Sequence, residues 1–371
     1  MHEQFQIDVK PQLKTSDYSI FLGENILVKL EEFIFNNFRD HQLVVITDEN
    51  VFQYQWSNLT RYVSEDKIFL IVNKAGEESK AREVKNRIDD ELLGRHFSRK
   101  TLMIGFGGGV VGDLSGYVAA TYKRGIPVVQ VPSSLLAMVD SSVGGKTGIN
   151  TPVGKNLIGA FWQPAAVFAD IKMLETLPQE EYLNGLAECV KTALIMDRTL
   201  FELMESNPQA IVQRDPEILI QIIKRCVELK REVVNLDTHE GGIRQILNFG
   251  HTIGHAMETL SQYSIKHGFG VSIGMAAEMK MSQLTGNFTE KELARIIDFF
   301  KKLKLPCAIP KEFSFNEIST AMLSDKKAEK GIVMYVLLDQ IGKYREVDGK
   351  FSFSVGDEIV RESIEFCKKL E

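Results

Sequence analysis

Short apolar runs alternate with amphipathic stretches through the first half of the chain. The runs predict β-strands, because they are rich in β-branched residues and several are apolar on both faces: YSIFLG, QLVVITD, KIFLIVN, TLMIGFG, VVQVP and AVFAD. The stretches between them, such as 24–37 and 77–93, carry apolar residues at helical spacing. This alternation predicts an α/β domain built on a largely parallel sheet.

The pattern changes after residue 177. Segments with apolar residues at positions i, i+3 and i+4 predict helices at 180–205, 215–235, 243–262, 269–285 and 289–303. A late run, 331–347, predicts a hairpin, and a closing helix is predicted near 357–370. We therefore divide the chain into an α/β domain, 1–177, and a mainly helical domain, 178–371, and expect a pocket between them.

A predicted strand-to-helix turn, GFGGGVVGD, carries the spacing G-x-G-x-x-G at Gly107, Gly109 and Gly112. Glycines in this pattern let backbone N–H groups approach a pyrophosphate at the start of a helix. The usual pattern also places an acid about 20 residues further on, to hold a ribose. That region here is PVVQVPSS, and an acid, Asp48, ends an earlier strand instead. The turn predicts a dinucleotide site in a non-standard arrangement.

The next stretch, 132–164, is rich in glycine and small hydroxyl residues and carries Asp140, Lys146, Lys155 and Asn156. Lysines among glycines suit phosphate groups, because they supply positive charge and donors without bulky neighbours. We interpret the stretch as a phosphate-binding loop. The alternative is a solvated surface loop, in which lysine is common.

Histidines concentrate in the second half of the chain. His251 and His255 are four residues apart, on one face of a predicted helix, as two ligands of one metal would be. His267 can add a third imidazole, and NGLAECVK places Glu188 and Lys191 on one face of a small, apolar helix. Upstream, DTHEGGIR adds charged side chains: Asp237, Glu240 and Arg244. Imidazoles with one carboxylate suit a catalytic zinc or cobalt with an open position.

Composition narrows the class of protein further. The chain has 371 residues, 44% of them apolar and 25% charged, and a net charge of −6. These values are typical of a soluble globular protein and give no reason to expect nucleic acid or a membrane as partner. The first residues lack the basic and apolar regions of a signal peptide. The four cysteines are scattered, so we expect reduced thiols in a cytoplasmic protein.

Several long motifs carry a family resemblance. GGGVVGDLSGYVAATYKRG, VDSSVGGKTGIN, GKNLIGAFWQP, LAECVK and GIRQILNFGHTIGHAME resemble the sugar phosphate cyclases, and among them the dehydroquinate synthase family. The resemblance extends over most of the chain, from TDEN to SDKK. It implies a nucleotide-binding α/β domain, a helical domain and an active site in the cleft between them. It also implies NAD, one divalent metal (Zn²⁺ or Co²⁺) and a homodimer.

The resemblance further implies which residues bind the cofactors. NAD would contact Asp48, Asn50, Glu77, Lys80, Gly109, Val110, Val111, Gly112, Asp113, Ser133, Ser134, Lys146, Lys155 and Thr176. The metal ligands would be Glu188, His251 and His267. This assignment moves His255 from the metal to the substrate.

The substrate and catalytic groups implied by the resemblance overlap. The substrate would be bound by Arg124, Lys146, Asn156, Lys230, Arg244, Asn248, His255 and Lys327. Of these, Arg124 would come from the partner subunit, and Lys230 and Arg244 would hold a carboxylate. The catalytic group would comprise Asp140, Lys146, Lys191, Glu240, Arg244, Asn248 and His255.

The implied reaction is a carbon–oxygen lyase reaction of the shikimate pathway, which leads to the aromatic amino acids. 3-Deoxy-D-arabino-heptulosonate 7-phosphate would be oxidised transiently by NAD⁺, lose phosphate, be reduced again and close by an aldol step to 3-dehydroquinate. No net oxidation results. The metal would polarise the oxygen that is oxidised.

One position departs from the family pattern and keeps alternatives open. The family usually reads His-Gly-Glu-Ala-Val where this chain reads HGFGV, so Phe269 replaces a carboxylate two residues after an implied ligand. Acids near a metal site orient its imidazole ligands. The site could therefore be looser, another acid could substitute, or the substrate could differ. The alternatives are a cyclase for another sugar phosphate, a catalytically impaired homologue, and a true NAD-dependent dehydrogenase.

Overall fold

The computed structural model describes residues 17–237, 241–324 and 332–370. The strands of this part of the chain are β1 Ser19–Gly23, β2 Gln42–Asp48, β3 Ile68–Asn73, β4 Thr101–Gly107, β5 Val128–Pro132, β6 Lys146–Thr151, β7 Gly154–Phe161, β8 Ala166–Asp170, β9 Leu338–Gln340 and β10 Lys343–Tyr344.

The helices fill most of the remaining described chain. They are α1 Val28–Phe38, α2 Glu49–Thr60, α3 Arg82–Gly94, α4 Gly109–Thr121, α5 Gln179–Met196, α6 Arg198–Ser206, α7 Pro208–Val212, α8 Pro216–Leu236, α9 His251–Leu260, α10 His267–Thr285, α11 Glu290–Leu303, α12 Phe315–Ser324 and α13 Asp357–Cys367.

The first half of the chain contains a parallel six-stranded sheet, whose strand order is β1-β8-β5-β4-β2-β3. Successive residues of its strands enter different cores: Val45 packs in one cluster, Val44 and Ile46 in the other. Both faces are therefore buried, as the apolar runs predicted. Strand order reverses between β2 and β4, so Asp48 and Gly107 end side by side at the crevice where α/β sheets bind ligands.

The second half is mainly helical, and its core is continuous with one face of the sheet. Two predicted helices are each divided. The segment 180–205 breaks at Asp197, whose carboxylate accepts the N–H of Leu200 at 2.9 Å and begins α6. The segment 243–262 breaks at Gly250, whose φ of 77° ends a 3₁₀ turn before α9. The chain therefore follows the predicted fold class with shorter helices.

The interpretation of 132–164 as a loop is wrong for its second half. β6 and β7 form an antiparallel hairpin, which packs on α4. Gly148 and Gly159 face each other across it, and a Cβ on Gly159 would lie 2.1 Å from the carbonyl oxygen of Thr147. Side chains at these positions would separate the strands, which explains why glycines that are typical of loops occur here in strands.

Two features near the end of the chain differ from the prediction. α12 was not predicted, and the late hairpin is confined to β9 and β10.

Glycines also bring α9 and α10 into backbone contact. A Cβ on Gly274 would lie 1.9 Å from the oxygen of Gly250, and one on Gly254 would lie 2.9 Å from the carbonyl carbon of Gly270. Along this face the main chains of the two helices therefore touch directly, with no side chain between them.

No helix of the described residues is long and apolar enough to cross a membrane.

Candidate active site

The glycine turn places the start of α4 at the end of β4. Gly107 is buried, and a Cβ there would lie 2.6 Å from Cβ of Val111, so the turn closes only around glycine. The predicted nucleotide residues of this turn are Gly109, Val110, Val111, Gly112 and Asp113, which form the first turn and a half of α4. Backbone N–H groups at such a helix start lack intrahelical acceptors and suit phosphate.

Other predicted nucleotide residues surround the same crevice. Asp48 ends β2 and accepts the N–H of Val51 at 2.9 Å, while Asn50 lies in the first turn of α2. Ser133 follows β5 and donates its N–H to the oxygen of Gly107 at 2.9 Å. Two further members flank these groups: Ser134, whose Oγ would lie 3.5 Å from a Cβ on Gly108, and Thr176, whose hydroxyl accepts from Gln55 of α2.

Lys80 is buried at the centre of a charged cluster on this side. Its ammonium binds Asp113 at 2.7 Å, the Asn156 carboxamide at 2.6 Å and Glu77 at 3.5 Å. Burial lowers the pKa of Lys80, but Asp113 and Glu77 outweigh it and raise that pKa. The cluster joins three predicted nucleotide residues to a predicted substrate residue on β7.

The implied metal ligands converge from three helices of the second half. Nε2 of His251 lies 3.8 Å, and Nε2 of His267 3.6 Å, from Oε1 of Glu188. One ligand atom from each of the three residues lies within 4.8 Å of the other two. His255 neighbours both imidazoles, with ring centroids 5.5 Å and 6.0 Å away, and forms a second such group with Glu258 and His267.

Two observations fit the first group to a cation. Oε1 of Glu188 is buried and has no hydrogen-bond partner within the described ranges, which is costly unless a positive charge lies there. Each imidazole also has its Nδ1 next to an oxygen. Nδ1 of His251 lies 3.1 Å from the main-chain oxygen of Phe249, and Nδ1 of His267 lies 2.8 Å from Oε1 of Glu258. Both Nε2 atoms therefore face the group, in the geometry of a divalent metal site.

Buried lysines and acids balance each other beside this group. Lys191 is 3% exposed and pairs with Glu188, one helical turn away on α5. Lys230 of α8 binds both the carboxylate and the carbonyl of Asp140, which lies in a π-helical turn at Ala137–Ser141. Desolvation opposes ionisation of Asp140, but Lys230 and Lys191 hold its pKa far below the usual range. Asp140 is therefore a carboxylate.

Two carboxylates, those of Glu188 and Glu258, determine the pKa of His267. Burial lowers its pKa, but contacts with Glu188 and Glu258 outweigh this and raise the pKa of His267 to about 9. Desolvation opposes ionisation of Glu258 too, yet His267 and Lys155 lower its pKa to about 2. A cation between these acids is thus favoured electrostatically, whether it is a proton or a metal.

The remaining predicted residues border the cluster or fall elsewhere. Arg244 is 2% exposed and lies in the 3₁₀ turn Ile243–Asn248, with Nη2 2.9 Å from where a Cβ of Gly144 would be. Asn248 ends that turn, and Lys146 begins β6. Arg124 lies on an exposed turn after α4. Glu240 and Lys327 lie outside the described residues.

Two residues at the site were missed by the sequence reasoning. Glu258 binds both Lys155 and His267, and its position three residues after His255 and seven after His251 on one helix face was an available signal. The Tyr18 hydroxyl accepts the N–H of Gly144 at 3.1 Å, beside Arg244. No local pattern marks Tyr18, because the contact joins positions 126 residues apart.

This fold is that of the sugar phosphate cyclases. A solved 2-deoxy-scyllo-inosose synthase, complexed with carbaglucose-6-phosphate, NAD⁺ and Co²⁺, matches with a TM-score of 0.86 and 26% identity, over 94% of this chain and 96% of that one. The 2-epi-5-epi-valiolone synthase ValA from Streptomyces hygroscopicus subsp. jinggangensis 5008, with NAD⁺ and Zn²⁺ bound, matches with a TM-score of 0.87 and 25% identity, over 99% and 100%. The predicted fold class is confirmed.

The family follows from the sequence. Two family models match consecutive parts of the chain, 3-dehydroquinate synthase N-terminal over 70–184 and 3-dehydroquinate synthase C-terminal over 185–328. The 3-dehydroquinate synthase of Thermodesulfovibrio yellowstonii is 44% identical over 286 residues, 76% of this chain and 80% of the relative. The chain belongs to the 3-dehydroquinate synthase family and is a lyase, which confirms the resemblance.

Proposed function

We propose that the protein converts 3-deoxy-D-arabino-heptulosonate 7-phosphate into 3-dehydroquinate and phosphate. The observation that carries this proposal is the site's composition: a three-residue metal group lies beside buried Lys191, Lys230 and Arg244, in a chain of this family. The substrate is an anion at both ends. Three buried cations beside the metal group suit such a ligand, because each can donate charge-assisted hydrogen bonds to a carboxylate or a phosphate.

The cofactors would occupy the two sides of the crevice. NAD would be held by the α4 turn with Asp48 and the Lys80 cluster, and the metal by Glu188, His251 and His267. When bound, they supply transient oxidation of a hydroxyl and polarisation of its oxygen. The glycine turn positions phosphate by main-chain N–H groups, and the paired Nδ1 atoms orient both imidazoles.

The chain's own residues would bind the substrate at its two charged ends. Arg244 and Lys230 would take the carboxylate, since a planar guanidinium donates two parallel hydrogen bonds to it. Lys146, Asn156, Asn248 and His255 would take the phosphate, together with Lys327. Asp140 and Lys191, both charged and next to the ligand group, would balance charge while protons move.

A homodimer completes the proposal, with Arg124 reaching the partner's site. Arg124 lies on an exposed turn at the end of α4, and the hairpin packed on α4 exposes Val153, Leu157 and Phe161. Exposed apolar side chains on one hairpin are typical of a contact surface. Sedimentation equilibrium of the protein, and of a Leu157→Asp variant, tests this assembly. A wild-type monomer would contradict it.

An activity assay tests the function. The protein, NAD⁺ and Zn²⁺ or Co²⁺ are mixed with the heptulosonate phosphate, and phosphate, dehydroquinate and NADH are followed together. We expect equal phosphate and dehydroquinate without accumulating NADH. Stoichiometric NADH would indicate a dehydrogenase instead. No phosphate release from fully loaded protein would favour a different sugar phosphate or an impaired homologue.

The second candidate, a cyclase for a related sugar phosphate, is favoured by the fold neighbours alone. Buried Arg244 argues for a substrate with a carboxylate, because a guanidinium can donate two parallel hydrogen bonds to that group. The same assay with carboxylate-free sugar phosphates discriminates between the two.

A further inference from the structure

We propose that Glu258 is the residue that positions the implied metal ligand His267, and that Lys155 of the β6–β7 hairpin holds Glu258 in place. This inference rests on the proposed function, because it assigns a role toward the proposed metal. It gives a residue outside the implied ligand set a task in the same site. It also answers the question raised by Phe269.

Glu258 uses its two carboxylate oxygens for two different partners. Oε1 lies 2.8 Å from Nδ1 of His267, and Oε2 lies 3.2 Å from Nζ of Lys155. Glu258 is 5% exposed, and these two contacts, together with nearby His255, offset the cost of burying its charge. The partners come from different parts of the fold, β7 and the first turn of α10. Lys155 also lies 4.0 Å above the ring of Tyr263, which restricts its ammonium further.

The contact with His267 determines which way that imidazole faces. An imidazole turns about its Cβ–Cγ bond unless one nitrogen is held, and holding Nδ1 directs Nε2. With Nδ1 on Glu258, Nε2 of His267 lies 3.6 Å from Oε1 of Glu188. His251 is held in the same sense, but by the main-chain oxygen of Phe249. The Nδ1 atom of His267 is therefore held by a side chain, and that of His251 by the main chain.

Phe269 does not occupy the place from which His267 is oriented. It is two residues further along α10, and residues two apart point to different sides of a helix. Phe269 packs, partly buried, against the apolar core. A carboxylate there would not replace the contact that Glu258 makes. The departure from the family pattern therefore leaves the orientation of His267 intact.

Metal affinity tests the assignment without relying on turnover. Zn²⁺ dissociation constants are measured by chelator competition for the wild type and for Glu258→Ala, Glu258→Gln and Phe269→Glu, and the visible absorption of the Co²⁺-loaded proteins is compared. Loss of an orienting carboxylate weakens metal binding about 10–100-fold. We expect that loss for Glu258→Ala, a smaller one for Glu258→Gln, whose amide oxygen can still accept from Nδ1, and a changed Co²⁺ spectrum for both.

A matched control separates orientation from general charge loss. Glu181 of α5 pairs with Lys266, the residue before His267, at 2.5 Å, and touches no implied ligand. Glu181→Gln should keep the wild-type affinity within about twofold, because a partly exposed pair away from the ligands contributes little. Circular dichroism melts of all variants establish that each is folded.

The outcomes distinguish this inference from the proposed function. Wild-type affinity and spectrum in folded Glu258→Ala would overturn the role of Glu258. Tighter Zn²⁺ binding by Phe269→Glu would overturn it as well, since position 269 would then be the orienting one. If wild-type protein binds neither Zn²⁺ nor Co²⁺, the proposed function itself fails, and with it this inference.

Discussion

The predicted nucleotide side and the predicted metal side of the crevice consist of different kinds of groups, main chain on the first and charged side chains on the second. On the nucleotide side, the α4 turn is main chain, and its shape requires that Gly107 carry no side chain. On the metal side, Glu188 and Lys191 are ionisable, almost fully buried, and held by each other. A substitution on the first side fails by steric overlap, and one on the second by leaving a charge unpaired. The predicted effects differ accordingly.

The largest effect is expected for Glu188→Gln. It removes a proposed ligand and leaves the ammonium of Lys191 buried without its carboxylate, a change that costs about 3–5 kcal/mol for buried pairs. We expect loss of bound metal and of activity together. Metal content by mass spectrometry and the phosphate-release assay measure both. A variant with full metal and full activity would show that the ligand set is wrong.

Arg244→Ala should have the next largest effect, on catalysis. Truncating one partner of a buried charge pair typically costs about 2–5 kcal/mol, so kcat/KM for the carboxylate substrate should fall about 30- to 5000-fold. An analogue lacking the carboxylate should be affected much less. Equal losses for the two substrates would remove the carboxylate assignment and favour a structural role beside Gly144.

Gly107→Ala examines the nucleotide side. The added Cβ would overlap Val111 at 2.6 Å, and overpacking costs about 1–3 kcal/mol. Urea unfolding should register that loss, and NAD⁺ titration should show weakened binding. Gly112→Ala is the milder change in the same predicted site, because its nearest contact is the end of the flexible Gln130 side chain at 3.1 Å. If both variants bind NAD⁺ like the wild type, the turn is not where the nucleotide lies.

The smallest effect is expected for a charge pair outside the crevice, Glu205 with Arg295. The bond from Nε of Arg295 to Glu205 is 2.7 Å long, but both side chains are partly exposed. Arg295 lowers the pKa of Glu205, so this pair stabilises the fold above the ordinary pKa of 4.5 and less as pH falls through the lowered value. Glu205→Gln should change the free energy of unfolding by about 1 kcal/mol or less. A larger change would show that a partly exposed charge pair in this protein stabilises the fold as much as a buried one.

The sequence predicted the sheet better than the helices. β2 and β4 are apolar on both faces and are stable only inside a covered sheet, and the predicted runs QLVVITD and TLMIGFG have the same bounds as these strands. Helix ends at Asp197 and Gly250 were missed, because both lie inside longer amphipathic patterns and act through local geometry. The β6–β7 hairpin was missed for the opposite reason, since its strands carry glycines that normally predict loops.

The site was predicted unevenly for a related reason. Motif resemblance proposed Glu188, His251 and His267, and the structure brings all three together, although their roles stay predictions. Glu258 was overlooked because its partners, Lys155 and His267, lie on other elements. The boundary at residue 177 also stays a prediction.

The glycine contacts between α9 and α10 have a consequence for how this chain can change over time. His251 and His267 are the first residues of the two helices, so the distance between their rings depends on how closely the main chains of α9 and α10 pack. Repulsion between atoms in contact rises steeply as they approach, so the two helices cannot move closer together. Substitutions of the surrounding side chains therefore leave this spacing unchanged. At Gly254, Gly270 and Gly274 even a methyl group would change the spacing of the two helices, and with it the space between the proposed ligands His251 and His267.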